Sequence, residues 1–168
     1  MADQFNADEI FEIAEQIERN GEAFYRRAAA GTGDEKFREV LDGLADMEHR
    51  HVAVFTAMRA ELRGKKPEWL ARFSDADAEN EAVLYLRAAA EGKVFDVAAR
   101  PADELSGSES PADILKTAIG LEKDSIVFYV AMKDRVRAET GKAKLDDIIR
   151  EEMGHVAVLV RQLDALGG

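Results

Sequence analysis

A chain of 168 residues, 46% of them hydrophobic, is long enough to close one domain of ordinary size around a full core. A formal net charge of −11 and a pI near 4.8 argue against nucleic acid or an anionic membrane surface as a partner, because both repel such a chain. With no cysteine, disulfides, iron–sulfur clusters, thiolate zinc sites and a rubredoxin-type iron site are excluded within these residues.

All three prolines, Pro67, Pro101 and Pro111, fall mid-chain and leave a long proline-free stretch of helical periodicity on either side. Asn6-Ala7-Asp8-Glu9 reads as a capping box opening a first helix that runs to about Ala30. Thr32-Gly33-Asp34-Glu35 reads as a second box, opening a helix to about Arg63. Residues 64–109 then form a long crossover, with a minor helix predicted around Ala78–Glu91 whose apolar content is Ala82, Leu84, Tyr85 and Leu86. Trp69 and Phe73 in this segment are expected to cover the end of the bundle. Ser110 before Pro111 reads as an N-cap followed by proline at the first helical position, opening the third helix. Gly141 is expected to break that helix, and the fourth runs to Gly167-Gly168.

Short joints at 31–33 and 139–142 make two antiparallel hairpins, 7–63 and 110–166. The crossover is expected to bring the third helix antiparallel to the second. The expectation is an all-α four-helix bundle, one domain over residues 1–168. No apolar run approaches membrane-spanning length, and no basic region followed by an apolar stretch stands at the N-terminus, so a cytoplasmic protein is expected.

Each helix carries an apolar stripe at steps of three and four residues, interrupted by acids and histidines. In the first, Phe11, Ala14, Tyr25 and Ala28 flank Glu18 and Gly21. In the second, Leu41, Leu44, Phe55 and Met58 flank Glu48 and His51. In the third, Leu115, Ala118, Tyr129 and Met132 flank Glu122 and Ser125, and in the fourth Leu145, Ile148 and Leu159 flank Glu152 and His155. Thus Glu-x-x-His occurs twice, as Glu48…His51 and Glu152…His155, each with a glutamate 30 residues upstream. A single shift of 104 residues carries Glu18, Glu48 and His51 onto Glu122, Glu152 and His155. The same shift matches Phe24-Tyr25 to Phe128-Tyr129 and His51-Val52-Ala53-Val54 to His155-Val156-Ala157-Val158. Two duplicated hairpins packed with approximate two-fold symmetry bring the ligand sets face to face.

Four carboxylates in an apolar core need compensation, because desolvating each charge costs several kcal/mol. Two divalent cations balance Glu18, Glu48, Glu122 and Glu152, and residues three apart on a helix let carboxylate and imidazole reach the same axis. Oxygen-rich ligation with one nitrogen per metal suits iron or manganese and also accepts zinc. His49 lies off the seam and reads as a surface residue. Tyr25 and Tyr129, two turns past Glu18 and Glu122, read either as hydroxyl donors to a carboxylate ligand across the bundle or as core aromatics satisfied elsewhere. Gly21 and Ser125 are small; either they leave room for dioxygen or peroxide, or they permit close helix packing.

The segments Ile17-Glu18-Arg19-Asn20-Gly21-Glu22-Ala23-Phe24-Tyr25 and Leu121-Glu122-Lys123-Asp124-Ser125-Ile126-Val127-Phe128-Tyr129, with the two Glu-x-x-His motifs, resemble the rubrerythrin-like branch of the ferritin-like superfamily. The resemblance covers roughly residues 7–63 and 110–166. It implies a ferritin-like bundle with a non-haem di-iron centre, two iron ions per chain, in which Glu48 and Glu152 bridge the metals. Glu18 and His51 would complete one ion, and Glu122 and His155 the other. It also implies a homodimer or small homo-oligomer. Rubrerythrins proper add a cysteine-ligated rubredoxin domain, and tend to carry a further glutamate where this chain has Ser125. The implied activity is reduction of hydrogen peroxide or dioxygen, with electrons from a separate donor such as a rubredoxin-type protein. Iron storage with ferroxidase activity, or a metal-binding structural role without turnover, are the alternative readings.

Overall fold

The computed structural model describes residues 7–64, 80–136 and 139–167, so Asn6, Trp69 and Phe73 lie outside the described residues. The described chain is helical: α1 Ala7–Gly31, α2 Glu35–Gly64, α3 Glu81–Ala90, α4 Pro101–Glu104, α5 Pro111–Arg135 and α6 Glu139–Gly167. The four long helices make the bundle, α1 packing along α2 and α5 along α6, while α3 lies on α5 and α4 on α1.

Helix starts follow local chemistry, with corrections to the sequence reading. Ser110 caps α5, its hydroxyl accepting from the Asp113 backbone N–H at 3.1 Å, with Pro111 behind it. At α2 the cap is Asp34 and not Thr32: the Asp34 carboxylate accepts from the N–H groups of Lys36 (2.9 Å) and Phe37 (3.1 Å). Thr32 accepts from the Asp34 N–H (3.2 Å), one residue too early to serve the helix. An anion there also meets the positive end of the helix dipole. Gly141 does not break a helix. The third helix already ends where Val136 turns extended (φ −84°, ψ 124°), and Gly141 lies buried in the first turn of α6. A helical glycine costs about 1 kcal/mol against alanine, less than burial of the neighbouring Leu145 and Ile148 returns. The minor helix starts later than expected, capped by Asn80, and buries Val83, Leu86 and Ala89 while Leu84 faces out.

Helix directions follow from which residues meet. Arg59 of α2 grips Asp8 through two 2.7 Å hydrogen bonds, and Arg26 of α1 reaches Asp46, so α1 and α2 are antiparallel. Tyr25 meets Glu122 and Tyr129 meets Glu18, so α1 and α5 are antiparallel too. The third helix therefore runs parallel to the second, contrary to the expectation. The physical reason is reach: the chain leaves α2 at one end of the bundle and must travel its whole length before α5 can begin. A short turn would have given an antiparallel neighbour.

The apolar core is split in two. One cluster gathers Phe11, Phe55, Met58, Phe128, Tyr129, Leu145 and Ile148; the other gathers Phe24, Tyr25, Phe37, Leu41, Leu44, Leu115 and Leu159. In every long helix the glutamates and histidines fall between residues of the two clusters. The Asp34 cap is testable: Asp34→Ala should cost about 1 kcal/mol in urea unfolding and Thr32→Ala less than about 0.5 kcal/mol. The reverse order would restore Thr32 as the cap.

Candidate metal centre

At the level between the clusters, Glu18, Glu48, His51, Glu122, Glu152 and His155 are all buried. They form two groups. Ligand atoms of Glu18, Glu48, His51 and Glu152 lie within 4.8 Å of one another, as do those of Glu48, Glu122, Glu152 and His155. Glu48 and Glu152 belong to both. Each helix delivers its share because residues three apart stand on one face.

The inward atoms are carboxylate oxygens and the imidazole Nδ1 atoms, which are all lone-pair donors to a cation once the rings are neutral. Glu18 Oε2, Glu48 Oε1, both Glu152 oxygens and both histidine Nδ1 atoms make no hydrogen bond within the described residues. Yet His51 Nδ1 lies 2.9 Å from Glu152 Oε1 and 3.3 Å from Glu18 Oε2, while His155 Nδ1 lies 3.0 Å from Glu48 Oε1 and 3.1 Å from Glu152 Oε2. Buried polar atoms without partners are rare in native proteins. Lone pairs converging at this spacing match a divalent cation with oxygen and imidazole ligands.

The outer atoms of the same side chains are held. Tyr25 donates its hydroxyl proton to Glu122 Oε1, and Tyr129 donates to Glu18 Oε1, each reaching across from the helix opposite. His51 Nε2 lies 2.9 Å from Glu151 Oε2, a contact in which the ring donates, so that in the neutral ring the Nδ1 lone pair faces inward. Glu151 escaped the sequence reading because it lies off the apolar stripe and is half exposed. The duplication offered a clue, since the same shift places Met47 opposite it. His155 Nε2 accordingly has no hydrogen-bond partner within the described residues. His49 stands on the surface against Glu22 (3.2 Å).

Gly21 lies close against Glu48, so that a side chain there would push the carboxylate aside by a few tenths of an ångström. A Cβ at that position would come within 3.1 Å of Glu48 Oε2. Its counterpart Ser125 is buried and turns its hydroxyl back onto its own helix, donating to the Glu122 carbonyl at 2.7 Å.

Charge is strained in the metal-free cluster. Burial, then repulsion from Glu48, holds Glu18 well above the usual carboxylate range, and burial pushes Glu122 up to about 8. Burial alone would lower the histidines. Contacts from Glu152 and Glu18 overcome this at His51 and push it up to about 11; Glu122, Glu152 and Glu48 push His155 up to about 12. Glu152 goes the other way: burial would raise it, but the imidazoles of His155 and His51 lying against its two oxygens lower it. Burial holds both tyrosine hydroxyls protonated, with neighbouring Glu122 and Glu18 adding to the effect.

No family model and no curated protein matches the sequence. Among solved structures, the chain is similar to a candidate ferritin-like diiron-carboxylate protein from Thermotoga maritima, 22% identical, with a TM-score of 0.65 over 94% of this chain and 93% of that one. The likeness establishes a ferritin-like helical bundle. No helix among the described residues is long and apolar enough to cross a membrane.

Two outcomes are expected of the cluster. A raised pKa means the folded chain keeps a proton that the unfolded chain has released, so stability is lost as pH rises through the shifted value. Glu122 contributes this loss between 4.5 and about 8, and the histidines continue it from 6.5 upward. The lowered Glu152 opposes it only below 4.5. Metal-free protein should therefore melt lower at about pH 8.5 than at about pH 6, and the rise in Tm on adding a divalent metal should be greater at the higher pH. A metal-free Tm that climbs over this range would contradict the cluster's ionisation. Separately, Glu151→Ala should weaken binding of one metal by about 10- to 100-fold and leave the other nearly unchanged in a calorimetric titration.

Proposed function

We propose that this protein is a non-haem di-iron oxidoreductase that reduces hydrogen peroxide or dioxygen in the manner of the rubrerythrin-like proteins. The observation that carries the reading is the pair of four-residue groups sharing Glu48 and Glu152, with partnerless inward-facing atoms. Glu18 and His51 would hold one ion and Glu122 and His155 the other, with the shared glutamates between them. Two ferrous ions bound there would supply the two electrons and the Lewis acidity that break the O–O bond of peroxide or convert dioxygen to peroxide.

The remaining work falls to the protein. Tyr129 holds Glu18 by Oε1 and leaves Oε2 for the centre, while Tyr25 holds Glu122 by Oε1, the oxygen that lies 3.4 Å from His155 Nδ1. Their raised pKa values keep those hydroxyls protonated as donors at neutral pH. Glu151 fixes the ring of His51. The two apolar clusters exclude bulk water above and below the site, which strengthens every electrostatic interaction within it. Reducing equivalents come from outside these 168 residues, which contain no cysteine to hold a rubredoxin-type iron. A homodimer or small oligomer in the cytoplasm is part of the same reading.

The test adds ferrous iron anaerobically to metal-free protein and follows near-ultraviolet ferric absorbance after peroxide or oxygen is admitted. The expected result is two irons per chain, oxidised much faster by peroxide than by oxygen. Glu48→Ala and Glu152→Ala should each abolish dinuclear binding, and a Glu48→Ala protein that still holds two irons refutes the assignment. Tight binding without oxidation, or a strong preference for zinc, would favour a structural or storage role.

A further inference from the structure

A cavity of about 80 Å³ opens between α1, α5 and the crossover, reaching Glu48 and Glu122. Its inner wall includes Gly21 and Ser125, the two small residues beside the glutamates. Its outer wall is the crossover stretch Phe95, Asp96 and Val97 with Pro101, which links α3 to α4. Between Ala90 and Pro101 that stretch has no helix of its own, and its contacts with the bundle include one on α5 and one on α1. The Phe95 ring stands edge-on to Phe128, centroids 6.2 Å apart. The Asn20 side chain donates from Nδ2 to two crossover carbonyls, Val97 at 3.0 Å and Ala99 at 3.2 Å. Asn20 is itself oriented, since its Oδ1 accepts from Gln16 Nε2 at 2.7 Å.

Resting on the di-metal reading of the site, we propose that Asn20 is a positioning residue which clamps residues 95–101 as the roof of this chamber, and that the roof limits ligands of the centre to about two to four heavy atoms. The size argument is direct. An engineered cavity of about 150 Å³ admits benzene, and a single water needs about 10–15 Å³ on this scale. A part-open chamber of about 80 Å³ therefore takes dioxygen, hydrogen peroxide or azide beneath the roof, whereas an aromatic ring fits there only if the roof lifts. The carbonyls of residues 97 and 99 share one donor in Asn20, so its amide holds the part of the roof that the Phe95 ring does not. The duplication does not repeat the device: the matching residue on α5 is Asp124, which carries no donor and faces the same cavity.

The experiment uses Asn20→Asp, which keeps the size and removes the donor, and Asn20→Ala, which removes both. Each is loaded with ferric iron and titrated with azide and with phenolate, both read by visible charge-transfer absorbance. The wild-type protein should bind azide and resist phenolate. Both variants should gain at least about tenfold in phenolate affinity, keep azide affinity within about threefold, and hold the same amount of iron. Amide hydrogen exchange over residues 93–100, followed on chains without added metal, should quicken about tenfold or more in both variants. Unchanged exchange and unchanged phenolate affinity would overturn the proposal, as would an effect confined to Asn20→Ala, which would assign the role to volume. Failure of the di-metal reading would show separately, as fewer than two irons in the wild type; the exchange measurement would still decide the role of Asn20.

Discussion

The constraint on which this fold depends is the burial of four carboxylates at one level of a helical bundle. Stripping water from a carboxylate costs several kcal/mol even after relaxation. Four such charges left uncompensated would consume a stability of about 5–15 kcal/mol, the usual range for a domain. Burying a large apolar side chain returns about 1.5–3 kcal/mol, and that is the role of the two clusters that sandwich the acidic level. Even so, the metal-free cluster survives only by keeping protons: Glu18 and Glu122 are shifted upward, and both imidazoles are driven towards the charged form. Two divalent cations could replace those protons charge for charge, which is why metal uptake and proton release are the same event here.

The duplication makes the cluster nearly symmetric, and its exceptions carry chemical meaning. Tyr25 to Glu122 and Tyr129 to Glu18 are one contact made twice. By contrast, Glu151 supports His51 while Met47 stands at the matching position, leaving His155 Nε2 unpaired among the described residues. An imidazole backed by a carboxylate is the more basic ligand. The two metal positions are thus unequal on the proposed reading, the His51 side the firmer. Gly21 and Ser125 break the symmetry in a second way. Glycine at 21 yields space to Glu48, whereas serine at 125 spends its hydroxyl on its own helix.

What could be read from the sequence was what periodicity and repetition encode. Six polar residues on apolar stripes, in two copies offset by one shift, pointed to one shared level, and the structure brings all six together. The Ser110 cap was legible because serine before proline has few other uses. Thr32 was misread because Asp34 offers a competing acceptor within the same box, and only the turn geometry chooses between them. Gly141 was misread because a local helix penalty was allowed to outrank tertiary burial. Glu151 and Asn20 were missed for a common reason. Each lies off the core stripe and acts through a partner distant in sequence, His51 in one case and the carbonyls of residues 97 and 99 in the other.

The long crossover joins fold and chemistry. Because α5 runs parallel to α2, the chain must span the bundle between them, and whatever it passes over it covers. It crosses the face where α1 and α5 present Gly21 and Ser125, over the cavity that reaches Glu48 and Glu122. A helix laid across it would have satisfied its own carbonyls and needed no partner on the bundle. An irregular stretch leaves carbonyls in want of donors, and one amide on α1 supplies two of them. The parallel course of α5 thus delivers a cover for the site, and on the proposed reading the Asn20 amide, beside the Phe95 ring, sets how tightly that cover is held.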